Sequence, residues 1–335
     1  MRAIRTFILG SIVLPGILFI FSARPAFATC GSANCFLVTG TQEGVSAAGI
    51  LTADLSYRFI PQGRRLSGTK DISDVLTPKV DFENGVLLPD HHREIRTQNT
   101  LVEVDLSYGV TSRLTLAGSL PIINQRDHEH FDDADDPLLE HFTKEDGASG
   151  FGDVRLGARY AFLVKSKSLL VGGLAVKLPT GAYTLRDGEG NINEPTIQPG
   201  TGSVDAIASI HYARHAAASG LEPFVSASYR ANQENDLDYQ FGDETILDAG
   251  VSRRAGERLT WSMQLDWRRS WRDRFRSQGV PSTGARFLNL SPGVRLDAGT
   301  GTVLYAFVQV PVYQDVNESQ LAPRTGLLLG ISKSF

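Results

Sequence analysis

Cysteine is almost missing from this chain of 335 residues: two occur, Cys30 and Cys35, both near the N-terminus. A disulfide framework running through the fold is therefore excluded. The spacing is Cys-x4-Cys, which is not the Cys-x-x-Cys of common redox and zinc pairs. In an exported chain two close cysteines read as a local disulfide that pins a terminal segment; a metal or redox pair is the other reading. Long apolar runs are missing too. Beyond residue 21 nothing approaches the ~18 consecutive apolar residues of a spanning helix. There is no excess of basic charge, the formal net charge being −4. That argues against a nucleic-acid partner, which favours a basic face. Catalytic signatures are absent: no Gly-x-Ser-x-Gly elbow, no phosphate-binding Walker loop and no His-Glu-x-x-His. The glycines of GFGDVRLG miss the dinucleotide spacing and precede no helix. No enzymatic activity is expected.

What the chain does have begins at its start. Arg2 and Arg5 precede an apolar run over 7–21, and Ala26-Phe27-Ala28 follows as a small-x-small cleavage site. This is the layout of a secretory signal peptide, residues 1–28, with the mature chain beginning at Thr29. An uncleaved anchor is disfavoured because Pro15 interrupts a run already short of a ~20-residue span. A lipoprotein attached through Cys30 is disfavoured by Thr29 before the cysteine. Loss of Arg2, Arg5 and Arg24 leaves the mature chain more acidic. Residues 29–49 are expected to form an N-terminal periplasmic segment, tied by the Cys30–Cys35 disulfide and placed to plug the mouth of the domain that follows, 50–335.

That domain is written in alternation. In 101–123 Val102, Val104, Leu106 and Tyr108, then Leu114, Leu116, Leu120 and Ile122, fall on every second position, with Glu103, Asp105, Ser107, Thr115 and Ser119 between them. A period of two marks strands with one apolar and one polar face, and the short 109–112 link makes a hairpin. The same unit recurs at 51–59, 154–163, 170–178, 204–212, 225–231, 247–251, 259–267, 288–296, 304–312 and 325–335, giving about twelve strands by this pattern. Strand 304–312 is ambiguous, because both of its phases are apolar. Short turns near Thr111, Lys165, Ala216, Ala255 and Ala298 alternate with long loops at 61–99, 124–149, 181–200, 233–243, 271–284 and 314–322. Charge at mid-strand, short turns at one end and long loops at the other predict an all-β, up-and-down, antiparallel barrel in the outer membrane. Closure follows from backbone chemistry, since an open strand edge in hydrocarbon leaves N–H and C=O groups unpaired. Tyr57, Phe59, Tyr108, Tyr160, Phe162, Tyr212, Tyr229, Trp261 and Trp267 fall on the outward phase and suit the lipid interfaces.

The opposite phase collects the candidate lumen lining: Glu103, Asp105, Arg113, Asp153, Arg155, Arg159, Lys177, Asp205, His211, Arg230, Asp248, Gln264, Asp266, Arg268 and Arg295. Mixed signs point to cross-paired charges filling part of the lumen, not a filter of one sign. Five of the seven histidines, His91, His92, His128, His130 and His141, fall in the first two expected outer loops. Acidic neighbours such as Asp132, Asp133, Asp135 and Asp136 accompany them. Imidazole suits Zn, Cu or Ni and carboxylates suit harder ions, so these loops are a candidate divalent-cation site. The bland reading is a solvated acidic loop, or one that shares divalent ions with lipopolysaccharide phosphates. No EF-hand is present, because 132–137 lacks the glycine of that loop. No other cofactor is expected.

The segments SGFGDVRLGARYAFL (149–163), LAVKLPTG (174–181) and GTGSVDAIASIHYAR (200–214), with the terminal Phe335, resemble outer-membrane barrels assigned to transport in the meta-pathway of phenol degradation. The resemblance implies uptake of small, often aromatic or hydrophobic, molecules across a Gram-negative outer membrane. Phe335 also resembles the C-terminal signal read by the barrel-assembly machinery, although Lys333 stands where an apolar residue is usual. The expected function is a channel or facilitated-diffusion transporter for a small solute. The alternative is a non-transporting barrel that binds a metal or a partner through its His- and Asp-rich loops.

Overall fold

The computed structural model describes residues 44–144, 148–214 and 220–335. The expected signal peptide, 1–28, and the expected Cys30–Cys35 disulfide lie outside the described residues. The alternating segments become the twelve strands of one antiparallel wall. In chain order they are β1 (Leu51–Gly68), β2 (Val86–Gly109), β3 (Leu114–Asp132) and β4 (Arg155–Lys165). Then come β5 (Ser168–Lys177), β6 (Asp205–Arg214), β7 (Leu221–Ala231) and β8 (Glu244–Ala255). The wall ends with β9 (Leu259–Ser270), β10 (Ala285–Gly299), β11 (Thr302–Pro323) and β12 (Gly326–Ser334). Each strand pairs with its neighbours in sequence, and β1 pairs with both β2 and β12, so the sheet closes.

The side-chain distribution inverts that of a soluble protein. Leu55, Leu106, Leu116, Leu156, Leu174, Ile210, Leu265 and Val308 are exposed on the outside, with Tyr57, Tyr108, Tyr160, Phe162, Tyr212, Tyr229 and Trp261. Glu103, Asp266 and Gln264 are each only 1% exposed on the inside. Lipid solvates the first set, and the lumen packs the second. In β11 the ambiguous phase resolves with Tyr305, Phe307 and Gln309 inward and Leu304, Val308 and Val310 outward.

Two expected loops are corrected. Segments 61–99 and 124–149 are largely wall, since β1 runs on to Gly68, β2 begins at Val86 and β3 continues to Asp132. Their outer halves are polar in both phases, so alternation of apolar residues marks only the part of each strand that lies in lipid. His91, His92, His128 and His130 are therefore strand residues, not loop residues.

A bulge decides where those histidines point. In the β2–β3 ladder Val102 faces Ile123, whereas Glu103 faces Pro121, leaving Ile122 as an extra residue. Below it Thr115 turns inward; above it Ile123 turns to lipid and Asn124, Arg126, His128, His130 and Asp132 are buried inside. Proline fits such a position because it has no N–H to give to the ladder. A second shift, between Glu94 and Arg96, turns Glu94 and His92 inward on the facing strand.

Candidate functional site: the barrel lumen

Inside the barrel, charge is arranged in a layer at mid-height. Glu103 on β2 accepts from Arg58 of β1 at 2.9 Å and from Arg155 of β4 at 2.5 Å. Asp105, the next inward residue on β2, takes the Ser119 hydroxyl. Lys177 bridges Asp153 and Asp205 at 2.9 and 2.7 Å. Arg268 pairs with Glu244, Asp266 takes the Ser291 hydroxyl, and Asp248 takes that of Ser226 at 3.0 Å. Arg230 lines the same cavity as Glu244 and Arg155, His211 lies against Phe224 at 5.9 Å between ring centroids, and Arg295 is half-buried. These expected lumen residues are brought together. Arg113 is not: it sits exposed on the tight turn between β2 and β3.

The inner wall also carries an apolar sector. Ile60, Phe287, Tyr305, Phe307 and Leu328 of β1 and β10–β12 form one buried cluster on the inner wall. The aromatics fit because glycines lie beneath them. A Cβ on Gly293 would meet Phe307 at 2.0 Å, and one on Gly330 would meet Tyr305 at 2.2 Å. The Tyr305 hydroxyl donates to Asp54 at 2.7 Å, so the sector ends on a polar contact.

The link between β5 and β6 folds into the barrel. Its short 3-10 turn, Pro195–Ile197, lies between two cavities. One, toward the charge layer, is lined by Glu103, Arg126, Arg155, Lys177, Arg230 and Glu244 together with Pro195 and Thr196. The other, toward the outside, is lined by Gln62, Thr77, Glu94, His128 and Gln320 with Thr196 and Ile197. The turn is held from two sides: Asn124 of β3 donates to the Pro199 carbonyl at 2.5 Å, and the N–H of Val80, in the link between β1 and β2, donates to Glu194 at 3.1 Å. Gln198 braces it from within through Leu185 and Asn193. Above it Val80, Tyr239, Phe275 and Val280 pack the outer loops together, and the buried Tyr239 hydroxyl donates to Asp273 at 2.5 Å.

At the short-turn end a third cavity is lined by Gly44, Val45, Ser46, Asp54, Asp105, Ser107 and Arg159. The Ser46 N–H donates to Thr115 Oγ1 at 2.8 Å, and its hydroxyl lies 3.2 Å from that of Ser107. Both partners are lumen residues, so 44–46 lie against the inner wall. Gly49 donates to the Gly109 carbonyl at 2.7 Å.

The histidines form a row at the outer mouth. Ring centroids are 5.0 Å apart for His91 and His92, 4.5 Å for His92 and His130, and 4.7 Å for His130 and His128. His91 Nδ1 and His92 Nε2 lie 2.8 and 3.1 Å from the same oxygen of Asp132. His128 is engaged by Thr97 at 2.9 Å and Glu94 at 3.3 Å. His141 stands apart on the rim, nearly half exposed. Burial works to raise the Asp132 carboxyl, but the adjoining His91 and His92 and the charge of Lys79 hold it well below the usual range. Burial opposes protonation of His92, yet Asp132, Glu194 and Glu94 outweigh it and raise that imidazole. Burial and the neighbouring His128 and His92 push His130 down to about 2.

Arg58, Asp54, Glu244, Tyr305, Glu94 and Glu194 are absent from the set singled out in the sequence. Arg58 and Asp54 share the polar phase of 51–59, and Glu244 shares the phase of Asp248, so extending each alternation by a turn of the pattern finds them. Nothing local marks Glu194, which arrives by the inward fold of its loop.

A closed twelve-stranded wall, lipid-facing outside and charged within, defines an outer-membrane β-barrel of the channel class. The chain belongs to the family described as Putative MetA-pathway of phenol degradation, whose profile matches residues 81–318. Among solved structures it is similar to an outer membrane channel from Pseudomonas putida F1, with a TM-score of 0.58 at 12% identity, covering 89% of this chain and 100% of that one. The β domain of the Bordetella autotransporter BrkA gives 0.45 at 12% identity, covering 85% and 99%. The Ralstonia pickettii toluene transporter TbuX gives 0.44 at 11%, covering 87% and 90%. No functionally curated protein matches the sequence.

Proposed function

We propose that this barrel is a diffusion channel for small amphipathic solutes, molecules with an apolar ring and a polar end. One observation carries the reading. Three cavities lie along the barrel, and the middle one is lined both by charged residues, among them Arg155, Arg230 and Glu244, and by apolar ones, Leu101, Pro121, Pro195 and Phe241. A solute in it sets its polar end against Arg155, Arg230 or Glu244 while its ring lies on Pro121, Pro195 and Phe241. The family's description, phenol degradation, agrees with a ring-bearing solute. In liposome swelling, phenyl glucoside should permeate faster than the smaller methyl glucoside. Replacing Phe241, which lines the middle cavity, with Ser should remove that order. Equal rates in the parent protein, or no flux of either sugar, would overturn the reading.

The segment before β1 is proposed as a partial plug of the periplasmic mouth. Its carbonyls press on Gly109: a Cβ there would lie 2.0 Å from the Ala47 oxygen. Gly109→Ala should therefore expel residues 44–47 from the mouth without disturbing the wall. The expected result in planar bilayers is a larger and noisier conductance; an unchanged trace shows that the segment does not restrict flow.

A further inference from the structure

We infer that the outer mouth contains a binding site for one divalent transition-metal ion of the zinc, copper and nickel group, built by His91, His92 and Asp132. The ion is distinct from any solute that passes, and the site is independent of the channel reading above.

The donor set is right for such an ion and is already assembled. One ligand atom from each of the three residues can be chosen so that all lie within 4.8 Å of one another, and all three residues are buried. The two nitrogens stand 2.8 and 3.1 Å from one carboxylate oxygen. Ligands on a single tetrahedral ion with ~2.0–2.2 Å bonds lie roughly 3.3 Å apart, so small side-chain shifts admit the metal. Two imidazoles and a carboxylate select borderline ions over calcium or magnesium, which prefer all-oxygen shells.

The surroundings complete it. Glu194 lies 4.0 Å from His92 Nδ1, on the far side of the ring from Asp132. At 4.0 Å the two are not hydrogen-bonded; an approach of about 1 Å as the ion binds would let this outer carboxylate take the second ring N–H and fix the tautomer, as in carboxylate–histidine–metal sites. Lys79 holds the other oxygen of Asp132 at 3.4 Å, leaving Oδ1 turned to the histidines. The three ligands stand on two paired strands, Arg93 facing Phe131 in the ladder between them. A paired wall keeps such a set preorganised better than a loop does. Glu194 also belongs to the inward loop, so the ion would tie that loop to the β2–β3 wall.

Equilibrium dialysis of the folded mature barrel tests this, in a Cys30→Ser, Cys35→Ser background that removes competing thiols. Zn²⁺, Cu²⁺ and Ni²⁺ are the probes. The expected result is one ion per barrel at micromolar concentration, abolished in His91→Ala/His92→Ala and retained in His211→Ala. Glu194→Gln should weaken binding about tenfold or more, the effect of losing an outer-shell partner. Should the double variant fail to fold, Co²⁺ bound to the unmutated barrel must give the d–d bands of nitrogen and oxygen coordination. No bound ion at micromolar concentration, full binding by a folded double variant, or a Co²⁺ spectrum without those bands overturns the assignment.

Discussion

Excision of residues 185–198, with the ends rejoined by a short glycine linker, should raise single-channel conductance several-fold. Those residues include the Pro195–Ile197 turn, which stands between the outer and middle cavities. Without the turn the two cavities become one continuous space. The neck of the loop survives the cut: Gly200 donates to the Ala182 carbonyl at 2.8 Å, and Asp153 accepts from Gly181 at 3.0 Å and Thr201 at 2.9 Å. The wall itself contributes no residue to the excised piece, so barrel closure is untouched. Planar-bilayer recording gives the answer directly. Conductance equal to that of the intact chain would show that the turn is not the narrow point, and the charge layer beneath it would then have to be.

Glu103→Leu should destabilise the barrel by about 3 kcal/mol, the lower end of the cost of breaking a buried ion pair. Two opposing arguments set that figure. Glu103 is 1% exposed and serves two guanidinium groups, so its loss leaves two charges without their carboxylate. The Arg58 and Arg155 side chains, however, are 17% and 23% exposed, and water reaches them to share the cost. Glu103→Gln keeps the shape and some hydrogen bonding and should cost less. The triple replacement of Arg58, Glu103 and Arg155 by apolar residues of similar volume should recover most of the loss. Reversible urea unfolding in detergent or lipid vesicles measures all three. A Glu103→Leu barrel as stable as the parent would mean that the triad serves the passage alone and not the wall.

How much of this was legible in the chain follows lipid closely. Where a strand crosses hydrocarbon, its outer face has to be apolar, and Leu106, Leu116 or Leu174 declare it in the spacing of the residues. The strand number, the closure and most of the charged lining follow from that one constraint. Above the membrane both faces of β2 and β3 meet water or polar neighbours, so nothing in the order of Asp90–Thr97 or 124–132 distinguishes wall from loop. The histidines were visible as a cluster in the sequence, but their strand setting was not. Arg113 misled for the reason that turns have no phase: counting by twos from Thr115 places it inward, and the chain has already begun to bend. Glu194 was out of reach altogether, since its place is set by Asn124 and Val80, residues far away in the chain.

The extra residue at Ile122 has a meaning for ancestry as well as for geometry. With Pro121 buried, the extra residue is what allows Asn124, and after it His128, His130 and Asp132, to face inward although Asn124 stands nine positions from the inward Thr115. A relative that lacks the codon for Ile122 keeps the same faces by plain alternation, because Pro121 and Asn124 are then two positions apart. A codon gained or lost between the bulge and His128 instead turns Asp127, Glu129 and Phe131 to the interior. Presence of the histidines is thus no guide to kinship in function; where a length change falls relative to the bulge is the inherited character to compare.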